Sequence, residues 1–345
     1  MTPALPLAAR LRAVLEACAR RGGLLLALGI FAGLLVPPLA SATRDVVTPV
    51  VACLMTLVLL RVDFAQVLGW LRRPGLVAAL LGWLLVCCPL IAWGVAGLVG
   101  LHGSLAAALV IMAAGCAATS APAFARMVGL DGEVSLVVSL LSTLLVPFTA
   151  PPIALGLLGV DLSLSVGALS ARLALVVGLP LVLSLGLRRI LGGAVLERWG
   201  RAVDGAVVLL VVLYGFGVMD GVLAWLLREP GFVLGATALA FAGAFGLNAL
   251  TAAAFWPAGK RFALSAGLLS GNRNMALFLA VLPASTDARV LLFFALCQFP
   301  LFLSPGLLRP LYEPITDDSS RGCCGLRGGP DLRDDPQGLS VRRIR

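Results

Sequence analysis

The stretch LVAALLGWLLVCCPLIAWGVAGLVG, Leu76 to Gly100, contains no charged side chain along its whole length. As an α-helix it is long enough to cross the hydrocarbon core of a bilayer, which takes about 20 residues. A membrane-spanning β-strand would show stretches of about ten residues in which polar and apolar side chains alternate, and this stretch shows no such alternation. It therefore predicts a transmembrane helix.

Similar apolar stretches recur along almost the whole chain, each bounded by glycine, proline or charged residues. Of the 345 residues, 60% are hydrophobic and 12% are charged, whereas globular domains are roughly 25% charged. The sequence predicts an all-α, polytopic membrane protein with ten transmembrane helices. The predicted spans are 22–40, 46–62, 75–99, 104–127, 133–157, 164–188, 202–226, 231–257, 262–284 and 288–313.

The arginines and lysines predict the orientation of these helices. With the N-terminus in the cytoplasm, 21 of the 26 basic residues fall on the cytoplasmic side, four fall outside, and Arg273 remains within a span. Such an excess is typical of cytoplasmic loops, so we expect both termini in the cytoplasm and a bacterial-type inner or plasma membrane. The net charge of +9 is then a topology signal and indicates the lipid bilayer, not nucleic acid, as partner. Oligomeric state is left open.

The two ends of the chain lie outside the predicted bundle. Residues 1–21 are predicted as a cytoplasmic N-terminal segment, 22–313 as the transmembrane domain and 314–345 as a disordered, Gly-, Pro- and charge-rich cytoplasmic tail. The first apolar segment ends in Ala-Ser-Ala at 40–42, which also fits a cleaved signal peptide. A retained helix is favoured because more membrane segments follow and because losing it would spoil the charge asymmetry.

Two of the ten segments carry polar interruptions. The fourth contains AGCAATSAPAFARMVG, Ala114 to Gly129, and the ninth contains SGNRN, Ser270 to Asn274. In two sets of five helices, each interruption is in the fourth helix of its half. Matching breaks of this kind indicate two inverted repeats, with helices 4 and 9 crossing at a binding site whose helix ends favour an anion. Singly, each break also fits a simple kink or a close-packing face.

Arg273 is the most informative residue, because an arginine at the centre of a membrane helix costs about 2.5–3.5 kcal/mol to insert and is kept where it has a partner or a pathway. It is either part of an anion site or a brace that pairs with freed carbonyl groups, with Asp204 or with Asp220. The predicted substrate-binding residues are Arg273, Asn272, Asn274, Gly271, Thr119 and Ser120.

Other polar residues within the spans have weaker signals. Ser135 and Ser139 share a face of the fifth helix and either line the cavity, as a possible ion site, or bond to carbonyl groups one turn back. Gln298 and Asn248 are predicted to form hydrogen bonds between helices. The cysteines and the single His102 show no metal-ligand spacing, and no catalytic motif is present. The sequence predicts no metal, no cofactor and no enzyme activity.

Two stretches resemble the bile acid:sodium symporter superfamily over roughly residues 22–313. They are ATSAPAFARMVGLDGEVSLVVSLLSTLLVPFTAP, Ala118 to Pro151, and GNRNMALFLAVL, followed by ALCQFPLFLSPGLLRPLY. The resemblance implies a panel of helices 1, 2, 6 and 7, a core of helices 3–5 and 8–10, and alternating access to an organic anion.

The sodium ligands of that family are largely replaced. The resemblance puts its ninth-helix Glu and Gln at Leu269 and Arg273, its Ser-Asn pair at Ala121 and Pro122, and its third-helix Gln near Leu84. Gly271, Asn274, Ser135 and Ser139 are retained. Na⁺, like other hard cations, is bound by oxygen ligands, preferably with a carboxylate among them. We therefore expect weak or no sodium dependence, with the Arg273 guanidinium in the place of the coupling cation.

The leading hypothesis is a secondary transporter of an organic anion. The alternatives are a sodium-coupled symporter with rearranged ligands, an arsenite-type efflux carrier in which Cys116 matches the family's fourth-helix cysteine, and a non-transporting membrane sensor with the tail as its output. An intramembrane enzyme is disfavoured because paired catalytic carboxylates are missing. The substrate, its direction of transport and the coupling ion are not readable from the sequence.

Overall fold

The computed structural model describes residues 7–62, 69, 74–158, 165–283 and 285–324. Within these ranges every regular element is a helix. The β-type pairing in the same residues is limited to an isolated antiparallel bridge between Ala117 and Arg273. The all-α class predicted from the sequence is confirmed for the described residues.

The helices follow one another closely along the chain. A π-helical turn, Trp83–Cys87, joins α5 to α6, and a 3-10 turn, Trp256–Ala258, precedes α14. The helices are α1 Leu7–Arg20, α2 Gly22–Leu35, α3 Pro37–Arg44, α4 Val47–Leu60, α5 Pro74–Gly82, α6 Cys88–Leu98, α7 Ser104–Ala114, α8 Ala121–Met127, α9 Gly132–Leu158, α10 Val166–Leu191, α11 Gly193–Val218, α12 Val222–Arg228, α13 Pro230–Ala254, α14 Lys260–Gly271, α15 Met275–Val281, α16 Ala288–Leu296 and α17 Gln298–Cys324.

Six helical spans in the described residues are long and apolar enough to cross a membrane, and the number rises to eight if each of two bent pairs is one span. The bent pairs are α1 with α2, at 83°, and α3 with α4, at 74°. Large apolar side chains point outward from these helices: on α10, Leu175 is 65% exposed and Val182 is 66% exposed. Such a surface needs lipid to cover it, so the chain is a multi-pass integral membrane protein.

Two further helix pairs correspond to the predicted fourth and ninth spans. They are α7 with α8 and α14 with α15, and each pair is interrupted by a short non-helical segment, at 115–120 and at 272–274. By length alone these short helices are not among the six to eight spans. The predicted breaks are therefore present, and a count of ten requires that the two bent pairs and the two interrupted pairs each cross the bilayer.

Several predicted boundaries differ from the observed ones. The seventh span begins at Gly193 instead of residue 202 and turns at Gly221, whose φ of +76° favours glycine. The last helix continues to Cys324, beyond the boundary predicted at 313, so the tail begins as a helix. Residues 325–345 of that tail lie outside the described part of the chain. The N-terminal segment contains α1.

Close backbone contacts hold one group of helices together. A Cβ atom on Gly33 of α2 would lie 2.9 Å from the Phe216 Cα of α11, and one on Gly217 would lie 2.9 Å from the Thr43 carbonyl oxygen of α3. Helices α4 and α10 also pack on each other and on α11. The other helices pack mainly around the two interrupted pairs, with α13 along α14 and α16 beside α7.

Candidate functional site

The two interrupted helices meet at their interruptions. The Ala118 amide donates to the Asn272 carbonyl over 2.8 Å, and the Asn274 amide donates to the Cys116 carbonyl over 2.9 Å. The Ala117 amide between them donates to the Ser142 hydroxyl of α9 over 3.2 Å. Backbone groups released by one interruption are thus satisfied by the other and by α9, which is the condition for non-helical backbone within a membrane.

Local sequence explains why the helices stop here. Gly115 follows α7 in an extended conformation, and Pro122 occupies the first turn of α8, where its missing amide hydrogen costs nothing. Asn272 and Asn274, on either side of Arg273, both have non-helical backbone conformations, and that of Asn272 is extended. Both interruptions therefore consist of residues that favour turns and helix ends.

The Arg273 side chain lies inside the protein with 3% of its surface exposed. Its Nε donates to the Ser270 carbonyl over 2.7 Å, and its Nη1 donates to the Gly115 carbonyl over 2.8 Å and to the Leu84 carbonyl over 3.1 Å. Ser270 and Gly115 are at the ends of α14 and α7, and Leu84 is in the π-helical turn. One guanidinium group therefore connects three segments of the chain through backbone oxygens.

Arg273 has no carboxylate partner within 4 Å among the described residues. Of the two aspartates considered as partners, Asp204 pairs with Arg61 over 3.0 Å and Asp220 pairs with Arg44 over 3.1 Å. The brace formed with freed carbonyl groups is therefore observed, and the pairing with either aspartate is wrong. Arginine is not deprotonated in proteins, so the guanidinium is a positive charge with no carboxylate beside it among the described residues. Its Nη2 has no hydrogen-bond partner in the same part of the chain.

A small cavity of about 30 Å³ adjoins the crossing. A cavity of this volume holds no more than a few water molecules. Thr119, Ser120 and Asn274, three of the predicted substrate-binding residues, line it, whereas Arg273, Asn272 and Gly271 do not. The lining residues are Leu54, Ala118, Thr119, Ser120, Val211, Tyr214, Asn274, Met275, Ala276, Gln298, Leu301 and Phe302.

Two amide side chains of the lining have unused hydrogen-bonding atoms. Asn274 is 6% exposed and Gln298 is 1% exposed, and neither Asn274 Nδ2 nor Gln298 Oε1 has a partner among the described residues. Gln298 Nε2 donates to the Tyr214 hydroxyl of α11 over 3.2 Å. The Tyr312 hydroxyl donates to Asn248 Oδ1 over 2.7 Å. Both residues predicted to bond between helices, Gln298 and Asn248, do so.

Gly271 has a packing role in the structure. A Cβ atom there would lie 2.5 Å from the Ala244 carbonyl oxygen of α13, and one on Gly267, a turn earlier, would lie 2.6 Å from the Asn248 carbonyl oxygen. These two glycines allow α14 to approach the α13 backbone closely, as small residues do in membrane helices. They fix the position from which the interruption at Asn272 begins.

Ser135 and Ser139 are buried but do not line the cavity. The Ser135 hydroxyl donates to the Asp131 carbonyl over 3.1 Å, and the Ser139 hydroxyl donates to the Ser135 carbonyl over 2.5 Å. Both serines therefore bond to carbonyl groups one turn back along the chain, the second of the two roles predicted for them.

Three of the five positions at which the resemblance implies sodium ligands lie in one apolar cluster, and Pro122 and Arg273 are not members of it. Leu84, Ala121 and Leu269 pack in one group of buried residues in which every side chain is aliphatic. Within this cluster, none of these three side chains has an oxygen that could bind a hard cation. Its members are Leu80, Leu84, Ala117, Ala121, Val134, Val138, Ala266 and Leu269.

A second, larger cavity of about 440 Å³ lies between α3, α4, α11 and α12 on one side and α15 and α16 on the other. The ion pair between Arg44 and Asp220 lies in its wall. The sequence contains no pattern that indicated this cavity, because apart from this ion pair its wall consists mainly of ordinary apolar residues from distant segments, such as Trp225 and Leu291.

Comparisons with models of known protein families and with curated protein sequences found no match to this chain. What defines its class is therefore the fold and the site. It is a helical, multi-pass membrane protein in which two interrupted helices enclose a buried arginine.

Proposed function

We propose that the protein is a secondary transporter that moves a small organic anion across the membrane by alternating access, as the resemblance to the bile acid:sodium symporter superfamily implies. In this proposal the interrupted pairs also cross the bilayer, which gives ten spans in two inverted repeats. The panel consists of α2 to α4 and α10 to α12, and the core consists of the remaining spans. Both termini lie in the cytoplasm.

The single observation that carries the proposal is the buried charge of Arg273 at the crossing. A positive group without a neighbouring carboxylate produces a local potential that favours an anion, and its effect is strong where water is scarce. Thr119, Ser120 and Asn274, which line the adjacent cavity, supply hydroxyl and amide donors for an oxyanion. We assign substrate contact to these three residues, and we assign the attractive charge behind them to Arg273.

The bonds of Arg273 also support weak or no sodium dependence. The guanidinium binds three carbonyl oxygens and so behaves as a cation that is covalently part of the chain. Leucine and alanine side chains fill the neighbouring positions that would have to supply oxygens to Na⁺. The proposal therefore needs no bound sodium ion to complete the site before the anion arrives.

A cavity of about 30 Å³ is too small for an organic anion, so transport requires the two groups of helices to separate. The hydrogen bond between Gln298 of the core and Tyr214 of the panel lies on that boundary. The cavity of about 440 Å³ lies on the same boundary and provides room for an entering solute.

The direct test is uptake into proteoliposomes that contain the purified full-length chain. Labelled small carboxylates, sulfonates and steroid acids are offered with external Na⁺ and again with choline in its place. We expect saturable uptake of at least one anion, at similar rates in both media, and exchange against the same unlabelled anion inside. Protein-free vesicles and the Arg273→Gln variant serve as controls.

Each alternative has a distinct outcome in this assay. A steep requirement for Na⁺ would identify a sodium-coupled symporter with rearranged ligands. Uptake of arsenite alone would identify the metalloid carrier. Tight binding of an anion to the protein in detergent, without uptake or exchange in vesicles, would contradict transport and favour a sensor.

A further inference from the structure

The first helix is placed differently from the helices of the bundle. Helix α1 is bent by 83° from α2, which starts two residues later. The first span predicted from the sequence, 22–40, begins with α2 and leaves α1 out. A helix at nearly a right angle to the start of that span runs along the membrane surface instead of continuing through the bilayer. Its position is therefore that of an interfacial helix.

Helix α1 is firmly attached to the start of α11. A Cβ atom on Gly205 would lie 1.8 Å from the Leu15 carbonyl oxygen, so the two backbones touch. The Arg12 guanidinium lies over the Trp199 ring at 5.9 Å from its centroid and also pairs with Glu16 over 2.8 Å. One face of α1 is thus occupied by protein, and its direction is fixed.

The free face of α1 is apolar. Leu11 and Val14, three residues apart and hence neighbours on the helix, are each 57% exposed. A valine and a leucine exposed at this spacing on a helix that lies along the membrane are placed to enter the boundary between headgroups and acyl chains.

Arginines flank this apolar face. Arg10, Arg20 and Arg21 are exposed, and none has an acidic partner within 4 Å among the described residues. Arg20 and Arg201 of α11 both lie within electrostatic reach of the Glu16 carboxylate, which places α1 and α11 arginines in one patch. The direct ion pair of Glu16 is with Arg12. The other arginines of the patch form no ion pair within 4 Å among the described residues and are available to bind anions.

We propose that α1, with the start of α11, binds anionic phospholipid of the leaflet that it lies on. Arg10, Arg20, Arg21 and Arg201 contact the headgroup phosphates, while Leu11 and Val14 rest on the acyl chains. Cationic and apolar groups lie side by side on this surface, as the headgroup and the acyl chains do in a phospholipid. An inorganic anion would leave the apolar groups uncovered, and an apolar protein surface would leave the arginines without a counter-charge. The binding does not depend on the chain being a transporter.

The test uses the purified full-length chain in neutral detergent, titrated with phosphatidylglycerol or with phosphatidylcholine while thermal unfolding is followed. We expect phosphatidylglycerol to raise the midpoint and phosphatidylcholine to leave it nearly unchanged. Each arginine near an anionic surface contributes roughly a fivefold gain in affinity, so replacing Arg10, Arg20 and Arg21 together with Gln should weaken binding by on the order of a hundredfold. Added salt should weaken it in the parent as well.

Three controls separate this proposal from its competitors. The matching triple Lys variant keeps the charge and should keep the preference for phosphatidylglycerol. Arg228→Gln removes an exposed arginine from the end of α12 and should leave the preference intact. Glycerol phosphate, the soluble headgroup, should not reproduce the shift.

The proposal is overturned if the two lipids act alike, if the Gln triple variant retains its affinity, or if glycerol phosphate stabilises the protein as well as the lipid does. Should the triple variant unfold, the single Arg10→Gln variant decides, because Arg10 has no ion-pair partner within 4 Å in the described part of the chain. Its affinity for phosphatidylglycerol should fall roughly fivefold, and an unchanged affinity contradicts the proposal.

Discussion

Replacing Arg273 with Met tests whether the guanidinium holds the crossing together. Methionine fills a similar volume but donates no hydrogen bond, so the carbonyl groups of Ser270, Gly115 and Leu84 lose their partner. These carbonyls belong to three different segments, which Arg273 alone connects in this way among the described residues. We therefore expect a loss of stability that is spread over the whole crossing.

The magnitude follows from the number of bonds and from the cost of burying the charge. A buried carbonyl that is left unsatisfied costs about 1–3 kcal/mol, but hydrogen bonds between membrane helices average only about 0.6 kcal/mol. Three bonds therefore give roughly 2–9 kcal/mol. Removing the arginine also removes the cost of placing its charge within the membrane, about 2.5–3.5 kcal/mol, which offsets part of this loss. The unfolded chain avoids part of the same cost by snorkelling. We expect a net loss of about 3 kcal/mol.

The assay is thermal unfolding of purified variants in detergent, followed by tryptophan fluorescence. Arg273→Lys keeps three donors on a compact ammonium group and should lose about half as much as the Met variant. Arg228→Met, at an exposed site, is the control and should lie within about 0.5 kcal/mol of the parent. If Arg273→Met is as stable as that control, the guanidinium does not brace the crossing.

The same variants separate charge from bracing. Arg273→Lys keeps the positive charge, so anion binding should stay within about tenfold of the parent once the protein is folded. Arg273→Gln and Arg273→Met remove the charge and should abolish anion binding. Unchanged binding by a folded Gln variant would show that the arginine is purely structural.

Three further predictions follow from individual contacts. Gly271→Ala should cost about 1–3 kcal/mol, because the new methyl group would lie 2.5 Å from the Ala244 carbonyl oxygen, whereas Gly235→Ala, where a Cβ meets nothing within 4 Å, should be close to neutral in the same unfolding assay. Uptake by the parent should be insensitive to the replacement of Na⁺ by choline, and a sodium-dependent parent would contradict the proposed role of Arg273. Arg273→Gln combined with Leu269→Glu is the smallest change expected to create a sodium response. The hydrogen bonds from the Ser104 hydroxyl and the Arg289 amide, with the Arg289 charge, hold the pKa of Asp287 below its usual 3.8. The ionised carboxylate therefore stabilises the protein above pH 3.8, and this stabilisation is lost as the pH falls through the lowered pKa. Ser104→Ala should make the unfolding midpoint less dependent on pH below about 4, as measured across an acid series.

The positions of both interruptions were predictable because glycine, proline and asparagine leave a clear signal against an apolar background. The segments around Gly115 and Asn272 were identified in this way, and the structure joins them by backbone hydrogen bonds. Gln298 and Asn248 were identified because an amide within an apolar helix needs a partner, and the structure supplies Tyr214 and Tyr312.

The partners of Arg273 were not predictable in detail. They are backbone oxygens, and every residue has one, so the sequence cannot mark Leu84 as a ligand 189 residues away. The early start of α11 was missed for a different reason. Residues 193–201 contain charged side chains that end an apolar span, but they form a helix because α1 packs on them.

The three carbonyls that bind Arg273 belong to segments that the proposed mechanism assigns to one moving body, which has an electrical consequence. If that body shifts across the membrane field, it carries one fixed positive charge at every step. With a monovalent anion bound the moving unit is neutral, so the loaded step should be insensitive to voltage. The empty step moves a net positive charge, and each 100 mV biases it by about 2.3 kcal/mol if the whole field is crossed. The membrane potential would then determine to which side of the membrane the empty site opens.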